Sequence, residues 1–403
     1  MKRVYSRVIK EHFALNRQML FLMGPRQAGK TTTCQGLKKE YVSFFYFSWD
    51  NYQDRQLILQ GPRALAEVIG LSTLKRSVPL VVFDEIHKFS DWKNYLKGLY
   101  DTYPNQLHIL VTGSARLDIY KKGGDSLMGR YFMYRFHPLT VAEIVNPVPR
   151  EKEIMTTPKK LGMKRFEALL KYGGYPDPFI KASTRFFNRW RHLRFQQLFQ
   201  DEVRDVTRVQ EIALLELLAK LLKERVGMQT TYESLAKSLR VSNVTVRKWT
   251  QILHSLYYCF EVRPWSRNIA RALIKEPKYY LWDWSEIEDP CAQAENFVAC
   301  HLLKAVHFWT DHGLGLYDLH YIRDKEKREV DFLVTKNGEP WFLIEVKISS
   351  NHGISPALPY FQKMTGAKHA FQVVFDLPFV AKNCFTASSP QIVPVLTFLS
   401  QLV

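Results

Sequence analysis

Three short apolar runs in the first third of the chain end in glycine, acidic or small polar residues. MLFLM precedes Gly24, PLVVF precedes Asp84, and LHILV precedes Thr112. Continuous apolar runs of this length predict strands buried on both faces, as in a parallel sheet covered by helices. In such sheets the ligand-binding groups follow the carboxyl ends of the strands. The pattern therefore predicts an α/β domain with a binding site at that edge.

The middle of the chain has the apolar spacing of helices. Residues 161–225 predict a helical lid, in which the arginine-rich and aromatic-rich segment 186–206 suits either lid packing or contact with phosphates. Residues 230–262 predict a helix, a short turn, a second helix and a strand, and the strand-rich segment after them suits a wing. One apolar seam joins the two helices and consists of Leu235, Ala236, Leu239, Val246, Trp249, Ile252 and Leu253.

The second helix of this predicted helix-turn-helix begins with polar and basic residues. They are Ser242, Asn243, Thr245, Arg247 and Lys248. Winged helices contact proteins as well as DNA, and both alternatives stay open. The basic residues favour contact with a nucleic-acid backbone over the reading of base sequence.

In the last third, charged residues interrupt an apolar hairpin, EVDFLVTKNGEPWFLIEVK, at residues 329–347. The Asn337-Gly338 pair marks its turn. A two-residue loop would place Asp331 opposite Ile344, whereas a three-residue loop or an equivalent bulge places Asp331 across from Glu345. We predict a three-residue loop, residues 337–339, or the equivalent bulge.

Lys347 lies two residues beyond Glu345 and therefore shares its face. We then expect Asp331 and Glu345 to ligate one magnesium ion, and Lys347 to orient or deprotonate a water molecule. The structural alternative is an exposed strand edge, which often carries Glu and Lys. The opposite face predicts a core made of Phe332, Val334, Ile344 and Val346.

Composition narrows the classes of partner. The 403 residues contain 57 Lys and Arg against 39 Asp and Glu, so the net charge is +18, and a nucleic acid is a more plausible partner than an acidic membrane surface. The five cysteines are scattered without a CxxC pair, which predicts neither a disulfide framework nor a zinc site. No stretch of about 20 apolar residues occurs, and we therefore expect a cytoplasmic protein without a membrane segment.

The segment GPRQAGKTT fits the pattern G-x-x-x-x-G-K-[ST] between a predicted strand and a predicted helix. We expect its backbone amides to bind the phosphates of ATP, Lys30 to contact the outer phosphates, and Thr31 to ligate Mg²⁺. Asp84 at the end of the second run suits the same ion. The predicted nucleotide-binding residues are Gly24, Pro25, Arg26, Gln27, Ala28, Gly29, Lys30, Thr31, Thr32 and Asp84.

Glu85 follows Asp84 and suits the polarisation of the attacking water. Thr112, Gly113 and Ser114 end the third apolar run and suit contact with the γ-phosphate, although residues of these types also form caps and turns. GPRQAGKTT, VVFDEIHK, VTGSAR, DSLMGR and GGYPDPF occur in this order.

Together these segments resemble a bacterial and archaeal family of AAA+ ATPases. The resemblance implies that Ser114 or Thr112 is a sensor and that Arg130 is a finger reaching a neighbouring subunit. Such a finger implies a homo-oligomer, for which a hexameric ring is the expected form. A second sensor arginine is not placed, and Arg185 is one of several possibilities.

The D…E-x-K set of Asp331, Glu345 and Lys347 resembles restriction-endonuclease-like enzymes, whose domain occurs at the C-terminus of the same ATPase family. In nucleases of this fold the first core helix often supplies another acidic metal ligand, which here is Glu295. The resemblance implies an α/β architecture with an AAA+ core at 1–160, a helical lid at 161–225, a winged helix-turn-helix at 226–285 and a nuclease domain at 286–403.

Two functions remain in view. The first is an ATP-dependent enzyme that cleaves DNA by Mg²⁺-dependent phosphodiester hydrolysis, with Holliday junctions as a substrate suggested by analogy. The second is a nucleotide-switched protein that binds DNA or protein and whose nuclease fold is a non-catalytic scaffold.

Overall fold

A computed structural model describes residues 2–71, 77–114, 127–147, 154–203, 211–266, 276–351 and 353–403. The chain divides into two compact units, Met1–Pro138 and Leu139–Val403. The predicted lid, helix-turn-helix and nuclease segments all fall within the second unit. The bounds of the four predicted domains stay predictions at this level of division.

The described part of the first unit contains a five-stranded parallel sheet in the order β2-β3-β4-β1-β5. Leu20, Phe21, Val82 and Phe83 are fully buried, as expected for parallel strands covered on both faces. The strands are β1 Met19–Met23, β2 Phe44–Ser48, β3 Leu80–Asp84, β4 His108–Gly113 and β5 Tyr131–Arg135. The helices are α1 Val4–Leu15, α2 Lys30–Gly36, α3 Tyr52–Leu59, α4 Pro62–Ile69 and α5 Trp92–Thr102.

The second unit begins with helices. They are α6 Val141–Val145, α7 Met163–Tyr172, α8 Pro176–Lys181, α9 Thr184–Gln197, α10 Ile212–Glu224, α11 Tyr232–Leu239 and α12 Asn243–Ser255. All residues of the predicted seam between α11 and α12 are buried, so the packing of this helix pair is confirmed. Side-chain caps begin both helices, because the Thr231 and Ser242 hydroxyls accept the Ser234 and Thr245 backbone N–H groups.

A seven-stranded sheet follows in the described part of this unit, in the order β12-β11-β10-β9-β8-β6-β7. The predicted wing lies partly at 267–275, outside the described residues, and β6 and β7 on either side of it form one edge of this sheet. The strands are β6 Cys259–Pro264, β7 Lys278–Leu281, β8 Tyr317–Arg323, β9 Glu329–Lys336, β10 Glu339–Lys347, β11 His369–Val374 and β12 Gln391–Pro394. The helices among them are α13 Pro290–Asp311, α14 Ala357–Thr365 and α15 Val395–Leu399.

The β9–β10 hairpin has a two-residue turn, in which Asn337 and Gly338 both have positive φ. Glu339 pairs with Lys336, but the register shifts between Pro340 and Phe342, and Ile344 then pairs with Phe332. The three-residue loop is therefore wrong, and the equivalent bulge is confirmed. Continuing the register brings Asp331 opposite Glu345, as predicted.

The predicted core face of the hairpin is only partly right. Phe332, Val334 and Ile344 are fully buried, whereas Val346 near the end of β10 is half-buried. The alternate positions are also covered, because Leu333 and Leu343 form a cluster with Leu358 and Phe361 of α14. Helix packing on this second side is the reason that the hairpin lacks a simple inside-outside alternation.

Candidate functional sites

The predicted phosphate loop joins β1 to α2 in the first unit. Gly24 lies so close to the backbone that a Cβ there would stand 2.0 Å from the Phe136 carbonyl oxygen, and Gly29 has a φ of 98°. Lys30 is buried, and its Nζ donates to the carbonyl oxygens of Gly24 and Pro25 at 2.7 Å each. The ammonium is thus fixed at the loop that would surround the phosphates.

Asp84 lies at the carboxyl end of β3 and accepts hydrogen bonds from three hydroxyl groups. Thr31 Oγ1 donates at 3.1 Å, Thr112 Oγ1 at 2.5 Å, and the Tyr46 hydroxyl also donates. Strand β4 lies between β3 and β1, which brings Thr112 beside the phosphate loop. Thr31 and Asp84 therefore suit a Mg²⁺ ion that accompanies the nucleotide.

Tyr46 was missed from the sequence, because FFYFS gives no signal beyond strand propensity. Burial and the hydrogen bond to Asp84 raise the pKa of Tyr46, so its hydroxyl remains a donor at neutral pH. Its partner becomes evident only when β2 is placed beside β3. Tyr46 is therefore an additional candidate residue of the nucleotide site.

Glu85, Ser114 and Arg26 form a chain of contacts at the same edge. Ser114 Oγ donates to Glu85 Oε2 at 3.0 Å, and Arg26 Nε donates to Ser114 Oγ at 3.3 Å. His87 Nε2 lies 3.6 Å from the same Glu85 oxygen, and burial lowers the pKa of this imidazole. The structure thus brings together the predicted water-polarising carboxylate and the predicted sensor.

The remaining residues of the phosphate loop have mixed environments. Gln27 has a φ of 61°, Ala28 is buried, and Thr32 is exposed at the start of α2. Their roles in nucleotide binding stay predictions.

Arg130 precedes β5 and therefore lies at the edge of the sheet opposite its own phosphate loop. Its guanidinium forms a bidentate ion pair with Asp101 of α5, at 2.9 and 3.0 Å. A finger function would act on another subunit and would have to break this pair. That function stays a prediction, as does a sensor function for Arg185, which is exposed on α9.

The second site lies on β9 and β10 of the second unit. Asp331 Oδ2 accepts the Val346 backbone N–H at 2.8 Å, and Lys347 Nζ donates to Glu345 Oε1 at 2.8 Å. Glu345 is 7% exposed. Its other oxygen, Oε2, is buried without a hydrogen-bond partner in the described part of the chain. A buried carboxylate oxygen without a donor is costly unless a cation or proton satisfies it.

Glu295 of α13 joins this site together with residues that the sequence did not reveal. Glu295 Oε1 accepts the Tyr280 hydroxyl at 2.6 Å and Lys278 Nζ at 3.3 Å, and the same Nζ lies 2.5 Å from Glu329 Oε1. Lys278 is 3% exposed. The available signal was a lysine that opens the apolar strand KYYL, because a charge there needs a partner.

Burial, together with the nearby Asp331 carboxylate, raises the pKa of Glu295 and of Glu345 to about 7. Burial also raises the pKa of Asp331. Burial alone would lower the pKa of Lys278, but Glu295, Asp331 and Glu329 raise it. The carboxylates thus disfavour their own ionisation, as expected of a site that binds a cation.

The carboxylates of this site differ in how well they fit a metal ion. Among the residues that the structure describes, no cluster of three or more Asp, Glu, His or Cys side chains is arranged to hold a metal ion. Mg²⁺ is nevertheless held by one or two carboxylates with water completing its shell. Asp331 and Glu345, with its unpartnered oxygen, fit this requirement. Glu295 fits it less well than predicted, because Lys278 and Tyr280 already occupy its Oε1.

Comparison with domain families divides the chain into three matched segments. Residues 16–145 match a family described as an AAA domain, which supports an AAA-like ATPase and implies that this segment binds nucleotide. Residues 163–285 and 292–376 match two families described as domains of unknown function (DUF8612 and DUF4143). These two matches assign no activity, and the winged-helix and nuclease assignments stay predictions.

Relatives and solved structures add no activity. An uncharacterized protein of Mycobacterium tuberculosis is 25% identical over 361 residues, which cover 86% of this chain and 74% of the relative. An uncharacterized protein of Methanocaldococcus jannaschii is 25% identical over 277 residues, covering 62% and 57%.

Two solved structures are similar at low TM-scores. The Walker-type ATPase of Pyrococcus abyssi has a TM-score of 0.42 at 14% identity, covering 69% of this chain and 92% of its own. Drosophila ORC bound to AT-rich DNA and Cdc6 has a TM-score of 0.25 at 8% identity, covering 68% and 88%. Within the described residues, no helix has the length and apolar character needed to cross a membrane.

Proposed function

We propose that the chain is an ATP-dependent DNA-processing enzyme whose second unit hydrolyses phosphodiester bonds. The observation that carries the proposal is the buried, unpartnered oxygen of Glu345 beside Asp331 and Lys347. A carboxylate pair next to an ammonium group suits the hydrolysis of a phosphodiester, because the reaction develops negative charge on phosphate oxygens. An exposed strand edge would not bury Glu345 in this way.

The order of elements around this site supports the proposal. Helix α13 precedes three antiparallel strands, β8 to β10, and α14 then leads to β11, which is parallel to β10. Glu295 lies on the helix, Asp331 on the middle strand of the three, and Glu345 with Lys347 on the last. This is the distribution that the resemblance to restriction-endonuclease-like enzymes implies.

Each residue has a distinct task in the proposed reaction. Asp331 and Glu345 would hold Mg²⁺, and Val346 fixes the Asp331 carboxylate through its N–H. A bound Mg²⁺ would supply Lewis-acid stabilisation of phosphate oxygens and an acidified water. Lys347 is half-buried beside Glu345 and would orient a water molecule and balance charge on the phosphate.

The first unit would couple ATP hydrolysis to the handling of DNA. Lys30, Thr31 and Asp84 would bind nucleotide and Mg²⁺, Glu85 would polarise water, and Ser114 would sense the γ-phosphate. Arg130 would act in a homo-oligomer, for which we propose a hexameric ring. The net charge of +18 and the exposed Arg247 and Lys248 at the helix-turn-helix suit DNA as partner.

The test is cleavage of labelled four-way junction, fork, linear duplex and single-stranded DNA by the full chain with Mg²⁺, with and without ATP. We expect cleavage that Asp331→Asn abolishes. The matched control is Asp318→Asn, because Asp318 on β8 is 73% exposed and should be dispensable. Loss of cleavage in both variants, or in neither, would reject Asp331 as part of a nuclease site.

One observation favours the second function, a nucleotide-switched binding protein with a non-catalytic scaffold. Lys278 and Tyr280 neutralise Glu295 from within the protein, and such internal partners also suit a site that has only a structural role. Under this alternative no DNA is cut, whereas DNA or protein binding still depends on ATP. Retained ATPase activity without cleavage of any substrate would favour it.

A further inference from the structure

The acidic site contains a lysine that belongs to neither the β9–β10 hairpin nor α13. Lys278 opens β7 and lies in the segment 163–285, which matches a different family from the segment 292–376 that carries the acidic residues. Its Nζ contacts Glu329 Oε1 at 2.5 Å and Glu295 Oε1 at 3.3 Å, and the side chain is 3% exposed. A buried ammonium group between two carboxylates is held firmly, because losing either contact would leave a charge in a poorly solvated place.

We propose that Lys278 is a built-in cation that takes the place of a second divalent ion, so that the site accepts a single ion on Asp331 and Glu345. The inference rests on the proposed function, since it assumes that these two carboxylates hold a metal. It goes further, because it assigns a metal-limiting role to a residue outside the D…E-x-K set.

The contacts divide the carboxylates into two groups. Glu295 Oε1 and both oxygens of Glu329 have donors within the protein: Tyr280 donates to Glu295 Oε1 at 2.6 Å, and Arg323 Nη1 donates to Glu329 Oε2 at 3.0 Å. Glu345 retains a buried oxygen without a hydrogen-bond partner among the described residues. The position open to an external cation is therefore the Glu345 side of the site.

Charge opposes a second ion beside Lys278. Two-metal phosphodiesterase sites place their ions about 3.5–4 Å apart and need carboxylates for both. Here the carboxylates that would hold a second ion are already bound to an ammonium and a guanidinium group. A divalent ion could enter there only by displacing a cation that the protein itself supplies.

The experiment counts bound Mn²⁺ per chain in the nucleotide-free full-length protein, by electron paramagnetic resonance of free Mn²⁺ and by titration calorimetry. We expect the wild type to bind one ion more than Asp331→Asn, which defines the site. Lys278→Gln should bind one ion more than the wild type. Lys278→Arg retains the cation and should match the wild type, as should the surface control Lys363→Gln on α14, an exposed lysine.

The outcomes separate the inference from the proposed function. Equal counts for Lys278→Gln and the wild type, with one Asp331-dependent ion in each, would overturn the inference and leave the proposed function standing. Equal counts for the wild type and Asp331→Asn would remove the metal from the proposed function and from the inference together. If Lys278→Gln does not fold, the wild-type count decides, because two Asp331-dependent ions would overturn the inference and one supports it.

Discussion

The phosphate loop of the first unit and the acidic site of the second unit are assembled over different distances in the sequence. The loop is one unbroken segment, residues 24–31, and its carboxylate partner Asp84 comes from a strand of the same parallel sheet. The acidic site takes residues from α13, β7, β9 and β10. A compact motif reveals most of its own partners, whereas a dispersed site acquires partners that no motif contains.

The carboxylates of the two sites also have different kinds of partner. Asp84 accepts hydrogen bonds from Thr31, Tyr46 and Thr112, which are neutral donors that a nucleotide-bound ion can displace. In the acidic site, lysines provide part of the compensation, and one oxygen of Glu345 has no donor among the described residues. The first arrangement suits exchange of a ligand, and the second suits a fixed charge balance that admits one more cation.

The largest expected effect concerns the support of the acidic site. Lys304 lies on α13, the helix that carries Glu295, and its Nζ lies 2.5 Å from Glu143 of α6, with both side chains fully buried. Lys304→Met removes the ammonium that compensates the buried Glu143 carboxylate and should lower the free energy of unfolding by about 3–5 kcal/mol. Urea unfolding followed by tryptophan fluorescence would measure this loss.

The control for Lys304 is a surface ion pair of the same unit. Lys223 lies 3.3 Å from Glu288, whose side chain is 86% exposed, and Lys223→Met should cost less than about 1 kcal/mol. The double variant of Lys304→Met with Glu143→Leu should recover most of the lost stability. Equal losses at Lys304 and Lys223 would show that the buried pair does not secure α13.

The second-largest expected effect is a loss of ATP affinity at the phosphate loop. Lys30→Ala removes the buried ammonium and should weaken ATP binding by about 10- to 150-fold, as expected for the loss of about 1.5–3 kcal/mol of charged hydrogen bonding. The Mn²⁺ count at Asp331 should stay unchanged. Titration calorimetry measures both, and Lys38→Ala, an exposed lysine just after α2, is the control. Unchanged ATP affinity would refute the predicted role of Lys30.

Sequence reasoning succeeded where neighbours in the chain become neighbours in the fold. The buried parallel strands and the helix-turn-helix seam follow from local periodicity, and the phosphate loop follows from one contiguous motif, because tertiary packing there reinforces local preference. The pairing in the hairpin depends on which side chains alternate to the same face. The bulge that brings Asp331 opposite Glu345 falls at Trp341. That ring packs against Trp309 and Tyr317, which are contacts between elements that the pattern of one hairpin does not contain.

Residues that neutralise a site were harder to predict. Tyr46 and Lys278 each come from a strand without a recognisable motif, and their partners are set by strand order. For the same reason Glu295 was predicted as a free metal ligand, although the structure supplies it with internal donors. Electrostatic compensation is a property of the assembled fold, since it depends on which charges are buried together.

The smallest effect tests how firmly Glu295 is held, and two glycines provide a matched pair. Gly227 and Gly313 both have left-handed backbones, with φ of 73° and 78°, and alanine at either should cost about 1–2 kcal/mol. A Cβ at Gly227 would also stand 3.0 and 3.1 Å from the two carboxylate oxygens of Glu295, whereas none of the described atoms lies within 4 Å at Gly313.

If Lys278 and Tyr280 hold the Glu295 carboxylate rigidly, it cannot yield to the added methyl group. Gly227→Ala should then lower the free energy of unfolding by about 1 kcal/mol more than Gly313→Ala, measured by urea unfolding. Equal losses would mean that Glu295 moves aside at little cost. A mobile Glu295 would remain available to an external metal ion, and the acidic site would then resemble the exchangeable Asp84 site more closely than its internal contacts imply.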